Sequence, residues 1–393
     1  MRLSTQQANA ALAVREWLGL PVEENQVFYL AGYAGTGKTT IVNQLVQDSD
    51  LAYDFMAYTG KAVSVLCKKG NPARTIHSAI YRPQKPDEGA IKDLLKQIQG
   101  SAGNALVKLK QDLALLYRPK FVLREREVLE EFDLIVVDEV SMVGADLGRD
   151  LLSFGKKVLV LGDPGQLPPI GGAGFFTNRP PDFLLTEIHR QAEDNPIIRM
   201  ATLVRQGHTL GVGAYGESKV VRKGVTDPFK EATSQVICGR NTTRKIINNA
   251  FIDRLWPGSE LACLVPPPSA ELICLRNNAA LGILNGTQWT VASSSDEGKY
   301  IDLVLYESGE DPTITKNIKA HAFETDLSSL SPWNRRLYEE FDFGYGITCH
   351  KSQGSQWPSV YIIDESWMFR EDKAKWLYTA LTRAEDRVVV VQT

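Results

Sequence analysis

Apolar and polar positions divide this chain into blocks of different texture. Val27-Phe28-Tyr29-Leu30 is a bare apolar run, followed at once by Gly-rich sequence and then by a helical pattern from Lys38 through Leu45. Two further bare runs, residues 134–137 and 158–161, lead into acidic residues and read as parallel strands buried on both faces. A second such set closes the chain. Val236-Ile237-Cys238 precedes a helical pattern over 242–255, and runs at 360–363 and 388–391 flank a helical segment around 376–381. Strands alternating with helices predict two α/β domains with parallel sheets.

Two segments break the pattern. Residues 83–131 begin with Pro83-Gln84-Lys85-Pro86, pass through a charged helical stretch and reach Phe121-Val122-Leu123, which fits one strand of a hairpin. Residues 264–340 open with Pro266-Pro267-Pro268 and continue in short alternating segments at 286–291 and 301–305, the signature of a small β-barrel. The expected organisation is a first α/β domain of 1–82 and 132–190 interrupted by 83–131, and a second of 191–263 and 341–393 interrupted by 264–340. No repeat of fixed period is present.

Composition narrows the class. At 393 residues, 43% hydrophobic and 23% charged, the chain reads as globular, not fibrous or disordered. Lys+Arg 44 against Asp+Glu 47 gives a net charge of −3, so any polyanion site must be local. Cys67, Cys238, Cys263, Cys274 and Cys349 stand far apart with no C-x-x-C pair, which fits a reducing compartment and neither a disulfide framework nor a zinc ribbon. Arg15 and Glu16 cut the early Ala-Leu-Ala-Val run, so a signal-peptide core is not expected. No stretch reaches the roughly 18 apolar residues of a membrane span. A cytoplasmic protein without membrane partners is the expectation.

The chemistry centres on Gly32-Tyr33-Ala34-Gly35-Thr36-Gly37-Lys38-Thr39, a full G-x-x-x-x-G-K-[ST] between a predicted strand and a predicted helix. Glycines let backbone N–H groups wrap a β-phosphate, the helix N-terminus adds positive potential, Lys38 reaches the β- and γ-phosphates and Thr39 ligates Mg²⁺. Asp138-Glu139 ends the 134–137 strand, where Asp138 can hold Mg²⁺ through water and Glu139 can deprotonate an attacking water. After the strand at 158–161, the turn Gly162 to Pro169 carries Gln166, whose amide can read a γ-phosphate or simply be solvated. Arg190 and Arg383 are candidates for guanidiniums reaching that phosphate, against the ordinary reading of surface ion pairs.

A nucleic-acid face is also legible. Residues 56–86 hold six basic side chains (Lys61, Lys68, Lys69, Arg74, Arg82, Lys85) and no acidic one, which reads either as a polyanion footprint or as a solvated basic face. Thr59, Ser64, Thr75 and Ser78 supply short hydroxyl donors suited to phosphate, and Asn241 and Arg244 can add contacts from the second domain. His77 and His350 fit phosphate or base contact as well as a structural role. Phe175-Phe176 and Trp357 are stacking platforms or core residues. His189 fits stacking on the nucleotide's adenine opposite Gln7 or a helix-start position in solvent. The acidic residues between 125 and 133 read as a solvated helix face.

Taken in order, these segments resemble the superfamily 1B helicases, the RecD-like group and the short phage Dda-type enzymes, over nearly the whole chain. Leu3 to Gln7 is similar to the Q motif, Gly32 to Thr39 to motif I, Tyr58-Thr59-Gly60-Lys61-Ala62 to motif Ia and Thr75-Ile76-His77-Ser78 to motif Ib. Asp138-Glu139-Val140-Ser141-Met142 resembles motif II, Gly162 to Pro169 motif III, and residues 185–191 the segment with the first arginine finger. Residues 348–355 resemble motif V, and Tyr378-Thr379-Ala380-Leu381-Thr382-Arg383-Ala384 motif VI with the second finger. Tyr58 stands where motif Ia usually has Pro, and Gln356 where motif V usually has Glu.

The resemblance implies two RecA-like P-loop domains with parallel sheets, a pin-type subdomain at 83–131 and an SH3-like small β-barrel at 264–340. It implies an ATP-dependent DNA helicase moving 5′ to 3′ in a bacterial or phage-infected cell, with single-stranded DNA and forked duplex DNA as partners and replication or recombination proteins as candidate partners. The implied nucleotide contacts are Gln7 on the adenine, Gly32, Gly35, Thr36, Gly37, Lys38, Thr39, Thr40 and His189. The implied catalytic set is Lys38, Glu139, Gln166, Arg190 and Arg383, and the metal ligands are Thr39 and Asp138. The implied strand contacts are Thr59, Lys61, Thr75, His77, Asn241, Thr348, His350, Lys351 and Gln353. Three rivals stay open: a translocase that does not unwind, an RNA-directed enzyme and a non-catalytic DNA-binding subunit.

Overall fold

The computed structural model describes residues 3–393 except 48–49, 85–86, 102, 117–119, 170–171, 188–194, 232–234, 260, 279–280, 324–326, 328–329 and 331. The chain divides into two compact units: Met1–Ala79, Arg126–Phe251 and Gly344–Thr393 form the first, and Ile80–Glu125 with Ile252–Phe343 the second.

The first unit holds two six-stranded sheets. One is wholly parallel, in the order β3-β2-β6-β7-β1-β8, with β1 Val27–Gly32, β2 Tyr53–Ala57, β3 Ala73–Thr75, β6 Leu134–Asp138, β7 Lys157–Gly162 and β8 Phe183–Leu185. All six residues of β7 are buried, and Leu30, Val136 and Leu159 are 0% exposed, which explains why these strands read as unbroken apolar runs. Each such side chain withdrawn from water stabilises the sheet by about 1.5–3 kcal/mol. The helix Thr5–Leu18 packs onto this core through Ala10, Ala11, Val14 and Trp17, and a reciprocal Ser4–Gln7 capping box starts it.

The other sheet runs β17-β11-β18-β19-β10-β9, with β9 Gly213–Tyr215, β10 Ser218–Arg222, β11 Gln235–Cys238, β17 Gly346–Thr348, β18 Trp357–Asp364 and β19 Ala384–Gln392. Every pairing is parallel except β9 with β10. The chain therefore has the mixed α/β architecture with parallel sheets that its sequence pattern predicts.

The second unit holds an antiparallel sheet and a ribbon. Strands β12 Glu271–Cys274, β13 Gln288–Asp296, β14 Ile301–Glu307, β15 Lys316–Ala320 and β16 Phe341–Phe343 pair in the order β15-β14-β13-β12-β16. Along β14, Ile301, Leu303 and Leu305 are buried and the residues between them are not, the two-residue period of a half-buried strand. The ribbon pairs β4 Tyr81–Gln84 with β5 Lys120–Leu123 antiparallel, so Phe121-Val122-Leu123 is a strand, but its partner lies across two helices and not across a tight turn. Between the arms run the helices Glu88–Gln99 and Gly103–Leu116.

The segments of this unit begin at Ile80 and Ile252 and end at Glu125 and Phe343. The sequence pattern predicts insertions at 83–131 and 264–340. One uninterrupted helix, Asn241–Leu255, carries the chain across the 251/252 border and hides it from a reading of composition. A second difference concerns the acidic stretch 125–133. It forms one 3₁₀ turn, Arg126–Leu129, not a helix face, because fully buried Leu129 pins it to the core. No helix among the described residues is long and apolar enough to cross a membrane.

Candidate nucleotide and strand site

Strand order builds the site. Strands β1, β7 and β6 are successive neighbours, so the loops at their carboxyl ends bring residues 32–39, 162–166 and 138–139 side by side, where open α/β sheets bind ligands. In the loop after β1, Gly35 (φ 80°) and Gly37 (φ 78°) take the left-handed conformation that turns consecutive N–H groups toward one centre. Thr36 holds the turn by donating from its hydroxyl to the Tyr33 carbonyl at 2.8 Å. The Lys38 ammonium donates to the Gly32 and Tyr33 carbonyls at 2.6 and 3.4 Å, closing over its own loop.

At the end of β6, the Thr39 hydroxyl donates to Asp138 Oδ2 at 3.2 Å. Burial first and the neighbouring Glu139 charge second push the Asp138 carboxyl above its ordinary range, while Lys38 pulls it down. A hard cation would relieve this frustrated carboxylate, and hydroxyl plus carboxylate oxygen suit Mg²⁺, which takes its remaining ligands from phosphate and water. Among the described residues no cluster of three or more His, Cys, Asp or Glu could hold a metal by itself. Glu139 occupies the left-handed region (φ 53°, ψ 45°), a strained conformation for a glutamate. It lines the same cavity as Lys38, Asp138 and Gln166.

That cavity is completed from the second sheet. Arg383, 4% exposed, lines it together with Thr382, Gly354 and Gln356. The guanidinium is anchored by Nε to the Thr379 carbonyl at 3.1 Å, and by its terminal nitrogens to the Ser355 carbonyl and the Thr382 hydroxyl at 3.2 Å each. Gln166 is 8% exposed, and the Ser141 hydroxyl lies 3.5 Å from its Oε1. The turn bearing Gln166 is tied to the helix Lys373–Leu381: the Leu167 N–H donates to Thr379 Oγ1 at 2.9 Å, and the Tyr378 hydroxyl donates to Asp163 at 2.6 Å.

The expected strand contacts gather at the carboxyl ends of β2, β3, β11 and β17. Thr59 caps the helix Gly60–Lys68, accepting the Ala62 N–H at 3.2 Å, and a methyl group at Gly354 would stand 3.0 Å from its Oγ1. The two sheets thus meet between motifs Ia and V. Asn241 and Lys351 are exposed and His350 is half-buried. Glu365, 1% exposed, accepts the N–H groups of Gly239 and Arg240 at 2.8 and 3.0 Å and the Thr243 hydroxyl at 2.7 Å, fixing the helix start that presents Asn241.

The chain matches two family models: an AAA domain over residues 2–226 and a UvrD-like helicase C-terminal domain over 343–391. It is 26% identical over 385 residues to the ATP-dependent RecD2 DNA helicase of Deinococcus radiodurans, covering 92% of this chain and 46% of the relative. It is 23% identical over 410 residues to the RecBCD enzyme subunit RecD of Mycobacterium tuberculosis, covering 93% and 66%. The chain belongs to the AAA-domain family. Its fold is that of Pif1: a Bacteroides Pif1 bound to single-stranded DNA superposes with a TM-score of 0.56 at 19% identity, covering 99% of this chain and 92% of that one. A Pif1 structure at forked duplex DNA gives 0.57 at 18% identity, with the same coverage. The chain spans about half the length of RecD2.

The expected site residues separate into three groups. Lys38, Thr39, Asp138, Glu139, Gln166 and Arg383 converge on one cavity, with Gly35. His189 and Arg190 fall outside the described residues, as does Lys85. Others also make local structural contacts. Gln7, 4% exposed, accepts the Ser4 N–H and donates to the Thr36 carbonyl, stapling the first helix to the P-loop. Thr75 is 9% exposed and bonded to Ser78.

Gln353 requires a correction: it is 2% exposed and donates to the Leu167 carbonyl at 3.1 Å, so it faces the motif III turn and not a strand. Arg74 pairs with Asp54 at 2.6 Å, which removes one charge from the basic face. Phe176 (2% exposed) and Trp357 (9%) are core residues and not stacking platforms. Phe175 covers Gly148. Tyr378 and Asp163 were missed as functional residues. Both lie inside motifs legible in the sequence, but only their juxtaposition gives them a role.

Proposed function

We propose that this chain is a Mg²⁺- and ATP-dependent DNA helicase that moves 5′ to 3′ on single-stranded DNA and unwinds forked duplex. One observation carries the reading: Lys38, Glu139 and Gln166 from one sheet and Arg383 from the other line a single cavity. A triphosphate held there would be gripped from both sides, so hydrolysis removes the contacts that keep the two sheets together.

In this reading the P-loop N–H groups and Lys38 bind the β- and γ-phosphates. Thr39 and Asp138 would hold Mg²⁺, which when bound neutralises phosphate charge. Glu139 takes the proton of the attacking water, Gln166 orients the γ-phosphate, and Arg383 stabilises charge on it as hydrolysis proceeds. The rim of Thr59, Lys61, His77, Asn241, Thr348, His350 and Lys351 offers hydroxyl, amide, imidazole and ammonium donors to a phosphate backbone. The β4–β5 ribbon, with Phe121 58% exposed, is suited to act as the pin, and the antiparallel sheet of the second unit as the SH3-like module. Arg190 as the first finger, and Gln7 and His189 at the adenine, belong to the same proposal.

The test is one panel: ATPase activity with single-stranded DNA, with RNA and with neither, followed by unwinding of forks bearing opposite tails. Stimulation by DNA and unwinding from a 5′ tail are expected. Stimulation by RNA alone, translocation without unwinding, or no stimulated phosphate release would each replace the proposal with one of its rivals.

A further inference from the structure

Within one turn, the helix Lys373–Leu381 touches both the nucleotide loops, through Tyr378, and the motif V segment, through Trp376. At the nucleotide end, the buried Tyr378 hydroxyl accepts the Ala34 N–H of the P-loop at 2.9 Å and donates to Asp163 Oδ2 at 2.6 Å. Asp163 in turn shapes the Gln166 turn, accepting the Gly165 N–H at 2.8 Å. The Tyr378 ring leaves no room above Gly165, where a methyl group would stand 3.0 Å from it. A single hydroxyl therefore joins the P-loop, the Gln166 turn and the helix that leads into Arg383. Burial pushes its pKa well up, so it remains a donor at neutral pH.

Two residues earlier on the same helix, Trp376 stacks on Phe369 with centroids 5.7 Å apart and planes at 26°, and Phe369 packs against the His350 ring at 5.8 Å. The Cys349 thiol reaches the Trp376 carbonyl at 3.5 Å. Cys349 and His350 belong to the motif V segment, which forms part of the proposed strand rim. Trp376 and Tyr378 sit within one turn of the same buried helix, so a displacement of one carries the other with it, because close-packed interiors do not deform smoothly.

We propose that Tyr378 is a positioning residue that couples strand occupancy to the nucleotide site, through its hydroxyl bridge between Ala34 and Asp163. The inference rests on the helicase reading and adds to it the route by which strand binding reaches the phosphate loops. An ammonium or guanidinium at the phosphate acts on charge. Tyr378 acts on where the P-loop and the Gln166 turn stand relative to each other.

Tyr378→Phe tests this, since it removes one oxygen and keeps the ring. Affinity for fluorescent mant-ADP is measured with and without a 16-nucleotide dT strand. The ratio is the coupling factor, which for coupled sites runs at about 5–150-fold. A factor in that range is expected for the unmodified chain and one within about twofold of unity for Tyr378→Phe, with dT affinity in the absence of nucleotide little changed. A purely structural role would lower stability and leave the ratio intact. An unaltered ratio in Tyr378→Phe overturns the role of the tyrosine alone; an unmodified chain indifferent to DNA overturns the helicase reading with it. A second measurement needs no variant. Hydrogen exchange at the Ala34 amide should change when dT binds without nucleotide, and identical exchange would also overturn the proposal.

Discussion

Replacing Arg383 by Ala removes the one described guanidinium in the cavity. Of its five N–H donors, three are taken by the Thr379 and Ser355 carbonyls and the Thr382 hydroxyl, which leaves two for a phosphate. A guanidinium in that role is worth about 10³–10⁵ in turnover in other NTPases, or about 4–7 kcal/mol of transition-state stabilisation at 1.36 kcal/mol per tenfold. The substitution also deletes three hydrogen bonds at about 0.5–1.5 kcal/mol each, so about 1.5–4.5 kcal/mol of stability goes with them. The two effects separate experimentally. Single-turnover phosphate release with saturating DNA, run well below the melting temperature, should fall at least a thousandfold, while mant-ATP binding changes by less than about tenfold. Arg383→Lys keeps the charge but loses the planar fork, and most of the rate loss should persist. Turnover within tenfold of the unmodified chain in Arg383→Ala would refute the role outright.

Lys38→Ala should abolish ATPase and unwinding together while sparing most salt-sensitive strand binding, read by fluorescence anisotropy; unchanged turnover would overturn the nucleotide site. Glu139→Gln keeps the side-chain shape and removes the base, and kcat should fall about 10²–10⁴-fold with nucleotide affinity retained, measured by steady-state ATPase and mant-ATP titration. Glu365→Ala strips the partner from two backbone N–H groups, a hydroxyl and the Arg240 guanidinium, and should cost about 3–5 kcal/mol in urea unfolding. The same carboxylate predicts an acid step. Burial raises its pKa, but hydrogen bonds from Thr243, from Arg240 and from the Gly239 and Arg240 amides outweigh that and hold it below its ordinary value of 4.5. Its stabilisation is therefore complete above about pH 4.5 and lost as pH falls through the lowered folded value, a step that pH-dependent melting should find missing in Glu365→Ala.

Local physics alone determined a good part of this protein. The strands around Leu30, Val136 and Leu159 are buried on both faces, so their sequences had to be apolar throughout and could be read without a structure. Gly35 and Gly37 need positive φ, and Lys38-Thr39 must follow them within one turn, so the phosphate loop is contiguous in sequence. The carboxylates Asp138-Glu139 are legible for the same reason.

What only the tertiary structure decided are the relations between distant segments. Nothing near Gln353 says that its amide turns inward to the Leu167 carbonyl, 186 residues away in sequence. Arg74 looks like a free cation until β2 sets Asp54 beside it. Tyr378 is one aromatic residue in an apolar helix until strand order brings Ala34 and Asp163 to its hydroxyl. Hydrogen bonds and ion pairs act over about 3 Å in space and take no account of separation along the chain. The chemistry of each segment could be read locally, but which segments act on one another was fixed by the packing of the sheets.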